Sequence, residues 1–344
     1  MSLLQVDHLT VSFGGLTAVN DVTFNVSQNE IFSIIGPNGA GKTTVFNAVT
    51  GIYEPAGGDI VFTGTELRRP VAKSTVVGIG VVAVLTALGF MIAANLEGLW
   101  EATVNANFVY LQPFPWGEAW KDLFAFLAEM PSRKLILPLI LGFVIGGSGA
   151  GVVWSRSRRT PNYVAERGIA RTFQNIRLFS DMTVLENVLV GMDARLKTRL
   201  WHMAFRLPLY WREQRESVKR AFELLRFVDL DREALQISRN LPYGHQRRLE
   251  IARALATDPK MILLDEPAAG MNPAETVELM DLIRKIRDRG VGVVLIEHHM
   301  RVVMGISDRI VVLDYGNKIA EGPPEEVKQN PRVIEAYLGK EVVG

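Results

Sequence analysis

A glycine-rich segment has the residue types and the spacing of a phosphate-binding loop. It spans residues 36–44 and reads Gly36-Pro37-Asn38-Gly39-Ala40-Gly41-Lys42-Thr43-Thr44. Apolar residues 31–35 predict a buried strand before it, and residues 44–50 predict a helix after it, which is the setting that this motif requires. Glycine turns direct several backbone N–H groups at one anion, and a helix N-terminus adds partial positive charge. We therefore expect the segment to bind nucleotide phosphates, with the Lys42 charge on the outer phosphates and the Thr43 hydroxyl on Mg²⁺.

Two further segments place reactive side chains at the ends of predicted strands. Asp265 and Glu266 follow the apolar run 261–264, and His298 comes shortly after the run 291–296. Paired carboxylates at a strand end suit metal and water handling, so we expect Asp265 to hold Mg²⁺ and Glu266 to orient or deprotonate a water. Taken alone, His298 is better explained as a hydrogen-bonded histidine at the end of a strand.

A third segment is a glycine turn that leads into a helix. It reads Leu241-Pro242-Tyr243-Gly244-His245-Gln246, and Pro259 ends the helical pattern that follows. The start of such a helix is a further place where an anion can bind.

The N-terminal residues predict antiparallel strands. Segments Leu4–Leu9 and Val22–Val26 alternate apolar and polar residues, and polar breaks separate them. Phe13 lies in the turn between them, where it either stacks on a nucleobase or simply packs the turn.

Composition narrows the class of protein. A chain of 344 residues has room for two domains, and 38 Lys and Arg nearly cancel 37 Asp and Glu, so nothing global favours nucleic acid as a partner. The chain has no cysteine, which excludes disulfides, thiolate metal sites and a cysteine nucleophile. The N-terminus lacks the basic-then-apolar layout of a secretion signal.

Much of the apolar content lies in two uncharged stretches, residues 74–96 and 135–155. Each is long enough to cross a bilayer as a helix. Basic residues flank the pair on its outer sides, and the connection, residues 97–134, is net acidic. The positive-inside rule then places both flanks in the cytoplasm and the connection outside. The alternative is a soluble helical hairpin that a partner subunit buries.

In this order, the segments resemble the ATPase subunit of an ABC transporter. Residues Gly36–Thr43 are similar to its Walker A loop and Met261–Glu266 to its Walker B strand. Gln174 matches the Q-loop glutamine, Leu241–Gln246 the signature, and residues 269–272 the D-loop. His298 matches the switch histidine, and Phe13 the residue that stacks on adenine.

The resemblance implies an α/β fold, a P-loop NTPase core with an antiparallel β subdomain and a helical subdomain. The two-helix transmembrane hairpin is a departure from that family, because the usual ATPase subunit lacks such an insert. The expected domains are residues 1–69 (first part of the core with Walker A), 70–157 (membrane hairpin), 158–256 (Q-loop, helical subdomain and signature) and 257–344 (second part of the core with Walker B, D-loop, switch histidine and C-terminal tail).

The resemblance also implies the partners and the cofactors. ATP binds residues 36–44, and Mg²⁺ binds Thr43, Asp265 and Gln174. Two ATPase subunits, identical or different, close so that Gly244 and His245 of each cap the other's ATP. Catalysis then rests on four side chains, Lys42, Gln174, Glu266 and His298. Pro242 departs from the pattern, because the general signature has a serine there whose hydroxyl reaches the γ-phosphate.

Finer details are similar to the importers of branched-chain amino acids. They include residues 13–15, 168–174, 247–253 and 267–273 and the ending at 335–339. In that branch, two permease subunits and a periplasmic receptor complete the system at the bacterial inner membrane. Other readings remain: an importer of urea or another amide, an exporter of the lipopolysaccharide type, a non-transport ABC ATPase, or a subunit that binds ATP without hydrolysing it.

Overall fold

The computed structural model describes residues 2–156, 158–193, 196, 198, 203 and 205–338. Gly339, the last residue of the matching C-terminal ending, lies outside them. The described residues form two compact units. The first contains the residues up to Leu67 and those from Arg159 onward, and the second runs from Arg68 to Arg158.

The strands, in chain order, are β1 (Ser2–Phe13), β2 (Leu16–Ser27), β3 (Ile31–Ile35), β4 (Gly57–Phe62), β5 (Thr65–Glu66), β6 (Ile169–Arg171), β7 (Met261–Asp265), β8 (Gly292–Ile296), β9 (Arg309–Asp314) and β10 (Asn317–Gly322). The α-helices are α1 (Lys42–Val49), α2 (Lys73–Ala94), α3 (Leu96–Trp100), α4 (Trp116–Glu129), α5 (Ser132–Arg156), α6 (Pro161–Glu166), α7 (Val184–Met192), α8 (Pro208–Phe227), α9 (Tyr243–Ala256), α10 (Pro273–Asp288), α11 (Met300–Ile306), α12 (Pro324–Gln329) and α13 (Pro331–Leu338).

The first unit contains a four-stranded sheet in the order β2-β1-β4-β5. The predicted antiparallel pairing of β1 and β2 is confirmed, and Leu4 lies opposite Val26. Two glycines, Gly57 and Gly58, lie inside β4 rather than in a turn. The reason is an irregularity in the β1–β4 ladder, where Gly58 has φ +84° and a Cβ atom on it would lie 2.3 Å from the His8 carbonyl oxygen. Glycine thus serves a bulge here rather than a turn.

The second sheet of this unit has six strands in the order β10-β9-β3-β8-β7-β6. Strands β3 and β6 to β9 pair in parallel, and β10 pairs antiparallel to β9. Every residue of β3, β7 and β8 is buried, as expected for strands covered on both faces. The phosphate loop, Glu266 and Glu297 directly follow the carboxyl ends of these three strands. Parallel pairing therefore places them along one edge of the sheet.

Helices α7, α8 and α9 pack around a core that continues to the sheet through residues such as Leu249 and Ile262. Helix α7 begins at a capping box, in which the Glu186 amide donates to the Thr183 hydroxyl and the Thr183 amide donates to the Glu186 carboxylate. Helix α10 begins with a second capping box, formed by Asn272 and Glu275. Such caps satisfy amides that have no acceptor within the helix.

In the second unit, α2 and α5 pack side by side through small residues. A Cβ atom on Gly142 would lie 2.7 Å from the Cα atom of Ala87, and one on Gly146 would lie 2.6 Å from the Thr86 side chain. Gly149 and Gly151 have nothing within 4 Å of that position. Glycines 142 and 146 thus let two helix backbones approach closely, as small residues do between helices in lipid.

The connection between α2 and α5 is largely helical. After α3 comes a π-helical turn, Glu101–Asn105, and then α4. On α4, Trp116, Trp120 and Phe124 recur every fourth residue and are exposed, whereas Ala119 is buried. This spacing gives α4 an apolar face of helical period, part of which is open.

Candidate nucleotide-binding and hydrolysis site

The phosphate loop has a conformation that glycine makes possible. Gly36, Gly39 and Gly41 have φ values of +152°, +82° and +94°. A Cβ atom on Gly36 would lie 2.1 Å from the Leu313 carbonyl oxygen, and one on Gly41 would lie 2.7 Å from the Ala18 carbonyl oxygen. Gly39 instead has open space on that side, with nothing within 4 Å of the Cβ position. The loop therefore fits the close approach of an anion to its backbone.

Lys42 is the first residue of α1, and its ammonium group is turned back onto the loop. The Nζ atom donates to the carbonyl oxygens of Gly36 and Pro37, at 2.7 and 2.9 Å. Burial lowers the pKa of Lys42, while the negative charges of Glu266 and Asp265 partly oppose this shift. The structure thus brings Lys42 into the electrostatic reach of both carboxylates. Thr43 is exposed and Thr44 half-buried in the first turn of the same helix.

Asp265, the last residue of β7, is buried and paired with an arginine. Its Oδ2 atom accepts from Arg171 at 2.8 Å. The same guanidinium donates to the side-chain oxygen of Asn47 at 2.6 Å and to the Thr50 hydroxyl at 3.2 Å. Arg171 therefore ties the carboxylate to α1, and its charge offsets the cost of burying that of Asp265. The sequence motifs included Arg171 without giving it a role.

Glu266 lies at the centre of the site in a strained backbone conformation, with φ +48°. Its Oε2 atom accepts from the Gln174 side-chain amide at 2.8 Å and lies 3.0 Å from Nε2 of His298. Three of the residues predicted to act together are thus in direct contact. The side-chain nitrogen of Gln174 donates to Glu266, and the side-chain oxygen of Gln174 takes no part in this contact.

Glu297 is a functional candidate that the sequence argument missed. It is 1% exposed, and its carboxylate accepts from the Ala268 amide at 2.8 Å and from the His298 amide at 3.1 Å. It therefore joins Ala268, the residue before the predicted D-loop, to the backbone of the histidine that contacts Glu266. The available signal was a carboxylate directly after a fully apolar strand, a place where an unpartnered charge would be costly.

Phe13 is the last residue of β1 and pairs with Leu16, so it lies beside the predicted turn rather than within it. Its ring contacts that of Tyr53 edge to face, with 4.9 Å between the centroids. Phe13 nevertheless remains 45% exposed. The side chain thus packs against a neighbour and still has exposed surface.

The signature turn leads into α9, with Pro242 as its N-cap. A Cβ atom on Gly244 would lie 2.7 Å from a Glu275 carboxylate oxygen, so the turn packs tightly against the start of α10. Amides in a first helical turn have no acceptor within the helix and can face an anion. Gly244 and His245 lie in that turn. Within the part of the chain that the structure describes, no hydrogen bond joins them to the phosphate loop.

The residues predicted to hold Mg²⁺ offer a hydroxyl, a carboxylate and an amide, which are the oxygen ligands that this ion prefers. Among the described residues there is no cluster of three or more His, Cys, Asp or Glu side chains suited to a metal.

Together, the loop, the strained glutamate and the parallel sheet define a nucleotide-binding P-loop ATPase. The family model described as ABC transporter matches residues 19–103 and 140–269. A second model, described as branched-chain amino acid ATP-binding cassette transporter, matches residues 317–343. The chain belongs to the ABC transporter ATP-binding family: it binds ATP or ADP and is an ATP-hydrolysing subunit of a transport system.

Relatives match along the whole length. The chain is 38% identical to the high-affinity branched-chain amino acid transport ATP-binding protein LivG of Salmonella typhimurium, with 98% of each chain covered. It is 37% identical to the corresponding protein BraF of Pseudomonas aeruginosa, with the same coverage. A nucleotide-free ATP-binding cassette from an ABC transporter has the same fold, with a TM-score of 0.64, 23% identity, and 99% and 100% of the two chains covered.

Proposed function

We propose that this ATPase powers the import of branched-chain or related amino acids through partner permeases. The contact of Glu266 with Gln174 and His298, beside Lys42, carries the hydrolytic part of the proposal. The solute rests on the two relatives, whose names state branched-chain amino acid transport.

The residues divide the work of ATP hydrolysis. The amides of residues 36–44 and the Lys42 ammonium bind the phosphates, with Phe13 against the base. Mg²⁺, held by Thr43, Asp265 and Gln174, would neutralise charge on the phosphates. Glu266 takes the proton of the attacking water or orients it, and His298 steadies Glu266 and the γ-phosphate. In a dimer, the backbone amides of Gly244 and His245 of each subunit face the other's ATP. Pro242 in place of serine removes a hydroxyl contact, but the amides of the helix N-terminus remain.

A groove of about 820 Å³ on the first unit is the proposed contact for a permease. It is lined by residues near Gln174, including Phe173, Arg177 and Phe179, and by Val190 and Arg253. Phe179 is 47% exposed and Val190 39% exposed, so apolar surface is open there. A permease segment in this groove would bear directly on the backbone next to Gln174. Two permeases and a periplasmic receptor complete the proposed import system.

We also propose that α2 and α5 cross the bacterial inner membrane. Both are long and apolar enough to do so by length and composition, and most of their side chains face outward. In this proposal, the ATPase unit lies on the cytoplasmic face, and residues 97–134 lie outside. Basic residues 68, 69 and 73 and 156, 158 and 159 support that orientation.

Cysteine labelling tests the hairpin without background, because the chain has no cysteine. Tyr110 in the connection and Leu235 in the ATPase unit are each 79% exposed, so they form a matched pair. We expect a membrane-impermeant maleimide to label Tyr110→Cys in intact spheroplasts and Leu235→Cys only after permeabilisation. If Tyr110→Cys, like Leu235→Cys, is labelled only after permeabilisation, the proposed crossing is wrong.

Uptake of radiolabelled solutes tests the function. A strain that lacks this chain is expected to lose energy-dependent uptake of leucine, isoleucine or valine and to regain it with the wild-type chain. Loss of urea or amide uptake instead, or a defect in lipopolysaccharide export with amino-acid uptake intact, would replace the proposed solute while leaving the ATPase assignment in place.

A further inference from the structure

Helix α9 contains an ion pair, Arg247 with Glu250, that is almost completely buried. Their side chains are 0% and 2% exposed, and a guanidinium nitrogen lies 2.8 Å from the Glu250 carboxylate. Moving two charges out of water is expensive, and apolar residues of similar size often stabilise such a position equally well or better. The Nε atom of Arg247 is itself buried without a hydrogen-bond partner. Stability alone therefore does not explain this pair.

The pair forms hydrogen bonds with both the carbonyl oxygens and the amides of the backbone around Gln174. The two terminal nitrogens of Arg247 donate to the carbonyl oxygens of Phe173 and Gln174, each at 2.8 Å. The Glu250 carboxylate accepts from the amides of Phe173 and Arg177, each at 3.4 Å. Residues 173–177, called here the Gln174 segment, are thus attached to α9 through carbonyls and amides at once.

The same guanidinium also lies near the backbone of Glu266. Its second terminal nitrogen also lies 3.5 Å from the Glu266 carbonyl oxygen. The Gln174 side chain meanwhile donates to the Glu266 carboxylate. Arg247 therefore fixes the backbones of two residues whose side chains contact each other in the site.

Helix α9 begins at the signature turn, only one turn before Arg247. We propose that Arg247, together with Glu250, is a positioning residue. Through this ion pair, the position of α9 determines where Gln174 lies relative to Glu266. Closure of a partner subunit on the signature turn moves α9, and the ion pair passes that movement to the Gln174 segment. The inference rests on the roles proposed for Gln174 and Glu266. Apart from its pair with Glu250, Arg247 donates to the backbone carbonyls of Phe173, Gln174 and Glu266, and none of these atoms takes part in the reaction.

The test compares two variants of the full chain in the assembled transporter. Arg247→Lys keeps a cation beside Glu250 but lacks the fork that reaches two carbonyls. The double variant Arg247→Met with Glu250→Leu removes both charges, which avoids leaving either one buried and unpaired. Arg248→Met is the control, because Arg248 lies next along the same helix and pairs with the exposed Glu278 instead.

Three quantities are measured: kcat for ATP hydrolysis, equilibrium MgATP affinity, and amide hydrogen exchange. We expect kcat to fall by between about tenfold and a hundredfold in both test variants, the range that misplacement of a catalytic group produces. Affinity and Tm should stay near the wild-type values, while exchange in the Gln174 segment should rise selectively. The control should match the wild type in all three.

Two outcomes would overturn the proposal. One is a kcat within twofold of the wild type, with unchanged exchange at residues 173–177. The other is a loss of kcat that accompanies a lower Tm and faster exchange throughout the sheet, because the pair would then be purely structural. A wild-type complex without ATP hydrolysis would instead refute the proposed roles of Glu266 and Gln174, so the two failures are distinguishable.

Discussion

Replacement of Glu266 by glutamine is expected to abolish ATP turnover while MgATP binding persists. In the structure, the Gln174 side-chain amide lies 2.8 Å from the Glu266 carboxylate. Glutamine has the same shape as glutamate and keeps an oxygen that can accept from this amide. It cannot take a proton from water at neutral pH, so the general-base contribution is lost. We expect kcat to fall by about 100-fold or more. Steady-state phosphate release and equilibrium nucleotide binding measure the two effects separately.

Glu278→Gln is a suitable control for this experiment. Glu278 is an exposed carboxylate on α10 that pairs with Arg248, and glutamine keeps a side-chain oxygen that can accept from this arginine. The control should hydrolyse ATP at the wild-type rate. Near-normal steady-state hydrolysis by the Glu266 variant would refute the role assigned to this residue, and loss of ATP binding would show that Glu266 acts in binding rather than in turnover.

The sequence predicted the part of the site that lies along the sheet edge, because its strongest signals lie at strand ends. Apolar runs ending in Gly36, Asp265 and Glu297 predict buried parallel strands, and the carboxyl ends of such strands share one edge. Gln174 was different: only the resemblance to ABC ATPases singled it out, and the structure then placed its amide on Glu266. The local sequence pattern thus predicted the sheet edge, and the resemblance to ABC ATPases identified Gln174, which comes from a neighbouring loop.

Long-range polar contacts could not be predicted from the sequence. Arg171 pairs with Asp265 across 94 positions of the chain, and Arg247 donates to the Phe173 carbonyl across 74. Hydrophobic period indicates which face of an element is buried, but it gives no partner to a buried charge. The same limit applies to Gly58, because its need for glycine comes from the β1 backbone that lies against it at the bulge.

Lys42→Met is expected to remove most of the affinity for MgATP. A charged hydrogen bond contributes about 1.5–3 kcal/mol, so the affinity should fall by roughly 10- to 100-fold. Without nucleotide, the fold should remain as stable as the wild type or become slightly more so. The reason is that burial lowers the pKa of Lys42, so the folded state disfavours the ammonium relative to the unfolded chain. That cost applies below the lowered pKa and is relieved as the pH rises through it, and methionine removes it at every pH.

Thermal unfolding with and without MgATP separates binding from stability for this variant. A ligand that binds only the folded state raises Tm with its concentration, so the wild type should show such a rise and the Lys42 variant should show little. Lys285→Met, an exposed lysine on α10, should respond as the wild type does. An undiminished rise in Tm for the Lys42 variant would mean that the backbone amides of residues 36–44 bind the phosphates without help. A low Tm before any nucleotide is added would mean that the bonds from Lys42 to Gly36 and Pro37 hold the loop in shape.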